Sequence, residues 1–424
     1  MSLKARIRQT IMVGGVESFG VAAGGITGLL IVNLLPKDQY AVYTFLMACM
    51  TLLSGIAELG ISHCLLPVVG KRASDGPWVV GVCHQIFRWR WILFGLALVI
   101  VVPYWLRTTL MHDWMSRSYV AASVVVVMVM VLSLRAGYSH AILMLLGHLG
   151  SINRAGFAMY ASRFALVALV LVSPLGVWAT LAVVLATAVS QLVDIGMQQR
   201  AVRAFGIESW RLDAQQRQEV NRETLRIALP LVPSAIFFQV QSVITVLIVS
   251  FFGTAAMMAE VGALGRLAMV LVVLDRVTNL VLFPAIARSA GGPQFVRKLL
   301  LTHAAYLGLM LLIFLSSVAV PHYWMLLLGS QYAAQEPYLW IAIGAYVLSS
   351  GAGFAFRTLT GRGATSRQWI TIPMIIAAQV AFVAWAGVDT LPKVLAFNLA
   401  TSFVQFAYQY ALVIARIPEW RRSS

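Results

Sequence analysis

Four arginines stand inside apolar runs long enough to cross a bilayer: Arg135, Arg163, Arg266 and Arg276. A guanidinium keeps its charge at any physiological pH and can grip a phosphate through two parallel N–H bonds. A charge at the centre of a membrane helix costs about 2.5–3.5 kcal/mol on insertion scales, so such residues persist only where they face other protein or a wet cavity. The chemistry they offer is non-covalent. Fixed cations along a path lower the barrier for an anionic headgroup crossing a low-dielectric slab. The competing role is structural, because buried charges are usually paired, and Glu17, Glu58, Asp194 and Asp275 are intramembrane carboxylates that would serve. Arg266 and Arg276 share one helix, separated by about 80° around its axis, so both fit one broad face. Asp275 points about 180° from Arg266 and shares a face with Asn279 at i,i+4. Glu58 and Asp275 suit either a coupling proton or cation or the pinning of arginines on neighbouring helices. Gln239 and Gln241 suit sugar hydroxyls or interhelical bonds. His140, about 140° from Arg135, suits an interhelical bond. Glu260 falls at an outer interface, and Trp105, Trp114 and Trp324 at loop edges belong to an interface belt.

Several chemistries are absent from the pattern. No GxxxxGK[ST] loop is present, so ATP is not the direct energy source, and no HExxH or other metal-ligand spacing appears. Cys49, Cys64 and Cys83 make neither a disulfide framework nor a metal site. No catalytic constellation stands out, and no cofactor is implied. There is no long outer loop of the kind that membrane polymerases and ligases of lipid-linked sugars usually carry, which weighs against an enzyme.

Those charges must be positioned by membrane helices. The chain is 60% hydrophobic and 11% charged over 424 residues, against about 25% charged in globular domains. Hydropathy and turn residues predict twelve spans, near 10–34, 40–68, 85–106, 119–147, 154–173, 177–200, 227–252, 257–287, 297–320, 337–360, 368–388 and 393–416. The uncharged run 164–193 is divided at Ser173-Pro174-Leu175-Gly176. With the N-terminus inside, 23 of the 31 Lys and Arg fall on the cytoplasmic side, and only Lys37, Arg107, Arg117 and Lys393 fall outside. Both termini are then cytoplasmic. The net charge of +16 reads as basic loops facing anionic lipid, not as nucleic-acid binding.

The chain repeats itself. Glu58, Pro67 and Lys71 recur as Asp275, Pro284 and Arg288 at a constant offset of 217 residues, and ITGLLIVNLLP (26–36) matches VITVLIVSFFG (243–253) at the same offset. An even number of spans per copy makes the repeat parallel, and such repeats commonly place a substrate site at their interface. The expected organisation is a six-helix lobe over 1–203, a cytoplasmic linker over 204–225 and a second six-helix lobe over 226–424. The linker is charged and glutamine-rich, and reads as a connector or a surface helix anchored by Trp210.

LLPKDQYAVYTFLMACMTLLSGIAELGI (34–61), GRLAMVLVVLDRVTNLVLFPAIAR (265–288) and LLLGSQYAAQEPYLWIAIG (326–344) resemble the corresponding segments of polysaccharide-type exporters in the MOP flippase superfamily. The resemblance covers the whole chain in length, span count and midpoint linker. It implies an all-α protein with two six-helix lobes around a V-shaped cavity, cationic in some members. It further implies a bacterial inner-membrane flippase for polyprenyl-diphosphate-linked oligosaccharide, of the O-antigen or exopolysaccharide repeat-unit type. Membrane lipids, a proton or sodium gradient and a polysaccharide polymerase would be its partners. The cavity residues would be Arg266, Arg276, Arg135, Arg163, Asn279, Gln239 and Gln241. Two alternatives stay open: a cation-coupled drug or metabolite exporter of the same superfamily, and a membrane glycosyltransferase or polymerase.

Overall fold

The computed structural model describes residues 3–72, 75–204, 212–268 and 291–422, together with 271, 272, 275, 278 and 286; side chains are described from residue 19 onward, residue 71 excepted. Arg276, Asn279 and Trp210 lie outside the described residues, as does the side chain of Glu17. The described secondary structure is helical throughout. Its elements are α1 (Leu3–Leu34), α2 (Lys37–Glu58), α3 (Gly76–Met111), α4 (Arg117–Leu145), α5 (Leu149–Val172), α6 (Ala179–Arg203), α7 (Ala214–Ala228), α8 (Val232–Phe252), α9 (Ala255–Leu267), α10 (Pro293–Ala319), α11 (Leu339–Gly361), α12 (Thr371–Ala386) and α13 (Leu391–Arg422). Among the described residues nine helical segments are long and apolar enough to cross a membrane. In α1 the described part is a shorter apolar helix, Phe19–Leu34. α9 is continuous only to Leu267. α13 carries Asn398, Gln405 and Gln409 on a tyrosine-containing helix, which lowers its hydropathy. The chain is thus an all-α, multi-pass membrane protein.

Local chemistry sets the helix ends. α5 stops at Val172 and the next turn is made by Gly176, whose φ of 51° is in the left-handed region. The division expected at residues 173–176 therefore falls where a proline and a glycine both resist helix. The span expected over 40–68 is interrupted. Leu59 and Gly60 adopt φ of 29° and 81°, ending α2 at Glu58, and the chain continues as short turns over Ile61–Cys64 and Leu65–Val69. α3 begins earlier than hydropathy suggests because Asp75 caps it, its Oδ1 accepting from the Trp78 amide at 3.2 Å. That bond, and the Arg72 guanidinium 3.0 Å away, hold the Asp75 carboxyl below the ordinary range.

Cα packing divides the chain into two compact units, residues 1–31 with 38–246, and residues 32–37 with 247–424. In the first, α6 is central and packs along both α4 and α5. A core of Ile86, Phe87, Ile142 and Leu143 continues into α7 through Val220 and Ala228. The linker segment forms this α7 helix. A capping box joins Asp213 and Gln216 at its start, and Val220, Thr224 and Ala228 form a buried stripe at i, i+4, i+8. Asn221 fixes α7 to α3, its Oδ1 accepting from Gln85 Nε2 at 2.8 Å and Trp89 Nε1 at 3.0 Å. In the second unit α11 and α13 form the main helix pair, flanked by α10 and α12, around Tyr306, Met310, Phe354, Leu359 and Val413. Outward faces remain apolar. Ile92, Val99, Ile100, Leu106 and Trp385 are exposed, as a lipid-facing surface requires.

Candidate functional site

Each unit holds one intramembrane carboxylate of the repeat, and each carboxylate is gripped by an arginine from another helix. In the first unit Glu58 closes α2. Its Oε2 lies 2.7 Å from Arg90 Nη2 of α3, and its Oε1 accepts from the Ser62 amide at 2.9 Å. The turn after α2 thus presents both a carboxylate and the amide that steadies it. Arg90 is 13% exposed and its guanidinium lies 4.9 Å from the Phe87 ring centroid, a cation–π contact that offsets some of its desolvation. Gly137 of α4 gives the room, because a Cβ there would stand 3.0 Å from Arg90 Nη1.

In the second unit Asp275 Oδ1 accepts from Arg357 Nη2 at 3.0 Å, from Tyr306 Oη at 2.7 Å and from Ser350 Oγ at 3.1 Å. Tyr306 stacks on Phe354, with ring centroids 4.4 Å apart. A second polar group lies against the same Phe354 ring, which contacts both Tyr306 and His303. His303 contacts Tyr410 Oη and Thr358 Oγ1, each at 3.2 Å. Three helices and the Asp275 segment therefore meet through polar side chains in an apolar setting, where each unmet group would cost several kcal/mol.

The two sites are not copies in detail. The position 217 residues before Arg357 is His140, so α4 supplies no arginine there and Glu58 takes its cation from α3 instead. Arg90 and Arg357 are the residues that hydropathy overlooks. Arg90 and Arg357 lie within the expected spans 85–106 and 337–360, yet the charge count places both on the inner side. The usable signal was an arginine close to a span boundary in a chain with an unpaired carboxylate on a nearby helix.

The remaining expected residues are placed as follows. Asp194 is buried on α6 and accepts from Gln198 Nε2 at 2.7 Å. Arg135 is exposed and lines a pocket of about 330 Å³ with Arg88 and His84. Arg163 is half-buried on α5, and its Nε is buried without a hydrogen-bond acceptor among the described residues. Gln239 of α8 donates to the Thr51 carbonyl at 2.7 Å. Gly55 leaves the room for this contact, because a Cβ there would displace the Gln239 amide. Gln241, Arg266 and His140 are engaged with neighbours. Glu260 is ion-paired with Lys37 at 2.6 Å and accepts from Gln335 Nε2 at 2.8 Å. Gln331 reaches the carbonyls of Val32 and Leu35 at 2.8 and 3.2 Å. The segment 326–344 thus clasps the chain between α1 and α2. Trp105 is buried and donates to Tyr119 Oη at 2.8 Å.

No group of His, Cys, Asp and Glu among the described residues has the geometry to hold a metal ion. The grouping instead suits electrostatic handling of anions and protons in a low-dielectric slab.

Residues 8–290 match the polysaccharide biosynthesis protein family. No curated protein sequence is significantly similar. Among solved structures the chain is similar to an inward-facing multidrug resistance MATE family transporter of the MOP superfamily, at 16% identity and a TM-score of 0.67, covering 96% of each chain. It is also similar to a MATE crystal structure in the straight conformation, at 16% identity and a TM-score of 0.60, covering 99% of this chain and 97% of the other. Those likenesses establish the fold, and the family match covers well over half of the sequence. The chain belongs to the polysaccharide biosynthesis protein family.

Proposed function

We propose that this protein flips polyprenyl-diphosphate-linked oligosaccharide repeat units from the cytoplasmic to the periplasmic leaflet by alternating access. The observation that carries this reading is a surplus of intramembrane cations. Glu58 and Asp275 are matched by Arg90 and Arg357, while Arg135 and Arg163 have no ion-pair partner among the described residues. A lipid diphosphate needs such cations to cross, and a cationic drug would be repelled by them. Arg266 and Arg276 are assigned to the same path, with Asn279, Gln239 and Gln241 toward the glycan. In this reading residues 1–203 and 226–424 are the two lobes, 204–225 joins them on the cytoplasmic side, and the protein sits in a bacterial inner membrane with both termini inside. A proton or sodium gradient supplies the energy, a polysaccharide polymerase takes up the product, and the protein performs no covalent step.

A second reading, a cation-coupled small-molecule exporter, is supported by the fold of the multidrug transporters. The two separate in proteoliposomes. Appearance of a labelled polyprenyl-diphosphate oligosaccharide in the outer leaflet, dependent on Arg266 and Arg276, is expected. If that lipid stays put while a cationic dye is pumped, the exporter reading replaces the first.

A further inference from the structure

The run Arg88-Trp89-Arg90-Trp91 of α3 sends its two arginines to different places. Arg90 turns to Glu58. Arg88, about 200° away around the axis, lines the pocket of about 330 Å³ together with His84, Trp91, Arg135, Tyr138 and Gln199. His84, Arg88 and Trp91 are spaced i, i+4, i+7 and so share a face. Arg135 and Tyr138 come from α4, and Gln199 from α6. No carboxylate lines this pocket. Among the described residues neither Arg88 nor Arg135 has an ion-pair or hydrogen-bond partner. Two like charges on one pocket repel each other, and an anion between them reverses that energy.

The depth of the pocket says what kind of anion. Arg88 lies about 18 Å along the axis from Gly76, and Arg135 about 15 Å from Leu145, at roughly 1.5 Å per residue. α3 and α4 have 36 and 29 residues, so both overrun a hydrocarbon core of about 30 Å. Splitting the overrun equally puts both guanidinium stems about 6–8 Å inside the hydrocarbon boundary, from where arginine side chains reach the headgroup level. Trp91, 40% exposed, and Tyr138 are residues of that same level. α3 starts, and α4 and α6 end, on the face that carries α7, so the site opens on one leaflet.

From this juxtaposition we infer that Arg88 and Arg135 form a binding site for a lipid-borne phosphate on the flank of the first unit. The bound group is either the diphosphate of a polyprenyl lipid, in which case the site rests on the flippase reading and is a loading station for the cargo, or the phosphate of an anionic phospholipid, in which case it is independent of that reading.

Native mass spectrometry of the full-length protein in detergent tests it. The probes are geranylgeranyl diphosphate, dioleoyl phosphatidylglycerol and, as the net-neutral comparison, dioleoyl phosphatidylcholine. The wild type should retain at least one anionic probe over phosphatidylcholine. Arg88→Gln and Arg135→Gln should each weaken that probe about tenfold, as loss of a charge-assisted bond implies. Arg88→Lys should lose less, because the charge stays and only the fork goes. Arg416→Gln, which breaks a pair with Glu419 instead, should change nothing. Loss confined to the diphosphate assigns the site to cargo, and loss confined to phosphatidylglycerol assigns it to bilayer lipid. The inference is overturned if the Arg88→Gln/Arg135→Gln protein, with an unchanged thermal midpoint, retains both anionic probes as the wild type does, or if the wild type holds phosphatidylcholine equally well. Because no transport is measured, failure of oligosaccharide flipping leaves this result intact.

Discussion

Replacing Arg357 with methionine removes the cation that holds Asp275 and keeps most of the side-chain volume. Asp275 Oδ1 is left with two neutral donors, Tyr306 Oη at 2.7 Å and Ser350 Oγ at 3.1 Å. Exposed ion pairs contribute about 0–1 kcal/mol, whereas stranding one partner of a fully buried pair costs about 3–5 kcal/mol. Both side chains here are 27% exposed, between those limits and nearer the buried one. The Arg357→Met protein should therefore lose about 2–3 kcal/mol. Asp275→Asn keeps a carbonyl oxygen that can still accept from Tyr306 and from the guanidinium, so about 1–2 kcal/mol is expected. The double variant strands no charge. Its loss should fall short of the sum of the singles by about 1–2 kcal/mol, the coupling expected of residues in one network. Equilibrium unfolding of the purified protein in mixed micelles measures all four free energies. Additive losses, or an Arg357→Met protein as stable as the wild type, would show that the ion pair contributes nothing and that the hydroxyl donors alone satisfy Asp275.

Three other outcomes are expected. Substitution of Glu58 by Gln or Asp275 by Asn should abolish gradient-dependent transport while sparing cargo binding if either carries the coupling proton; unchanged gradient dependence in both would leave them as structural charges. The Asp75 cap depends on pH with a definite sign. Its folded pKa is depressed, so the cap is fully present above the ordinary carboxylate value of about 3.9 and is lost as pH falls through the lower folded value; amide exchange at Trp78, corrected for intrinsic rate, should accelerate only in that acid range, and a flat profile contradicts the cap. Reporter fusions after Pro36, Thr109 and Gln331 should face the periplasm and those after Lys71, Gln215 and Ser424 the cytoplasm, and a periplasmic signal at Gln215 would rule out two parallel lobes joined by an inner linker.

What the amino-acid order determines by itself here is local. Apolar runs of membrane length, broken by Pro174 and Gly176 or bounded by charged loops, specify helices because backbone groups in lipid must bond within their own segment. The constant offset between Glu58 and Asp275 is likewise visible without coordinates, since it needs only spacing. The break after Glu58 was less legible. Leu59 is an ordinary apolar residue, and one glycine in a run does not by itself end a helix; the left-handed geometry at residues 59 and 60 comes together with the Glu58 carboxylate accepting from the Ser62 amide, a contact that spacing alone does not announce. The partners of the carboxylates belong to tertiary structure alone. Helices that are apolar nearly all round carry no stripe to say which way each is rotated, so Arg88 and Arg90, two residues apart, look equivalent in sequence. Packing of α3 against α2 and α4 distinguishes them, turning Arg90 onto Glu58 and leaving Arg88 on the pocket with Arg135. The same holds for Arg357, whose distance from Asp275 along the chain conceals a 3.0 Å contact that only the packing of the second unit creates.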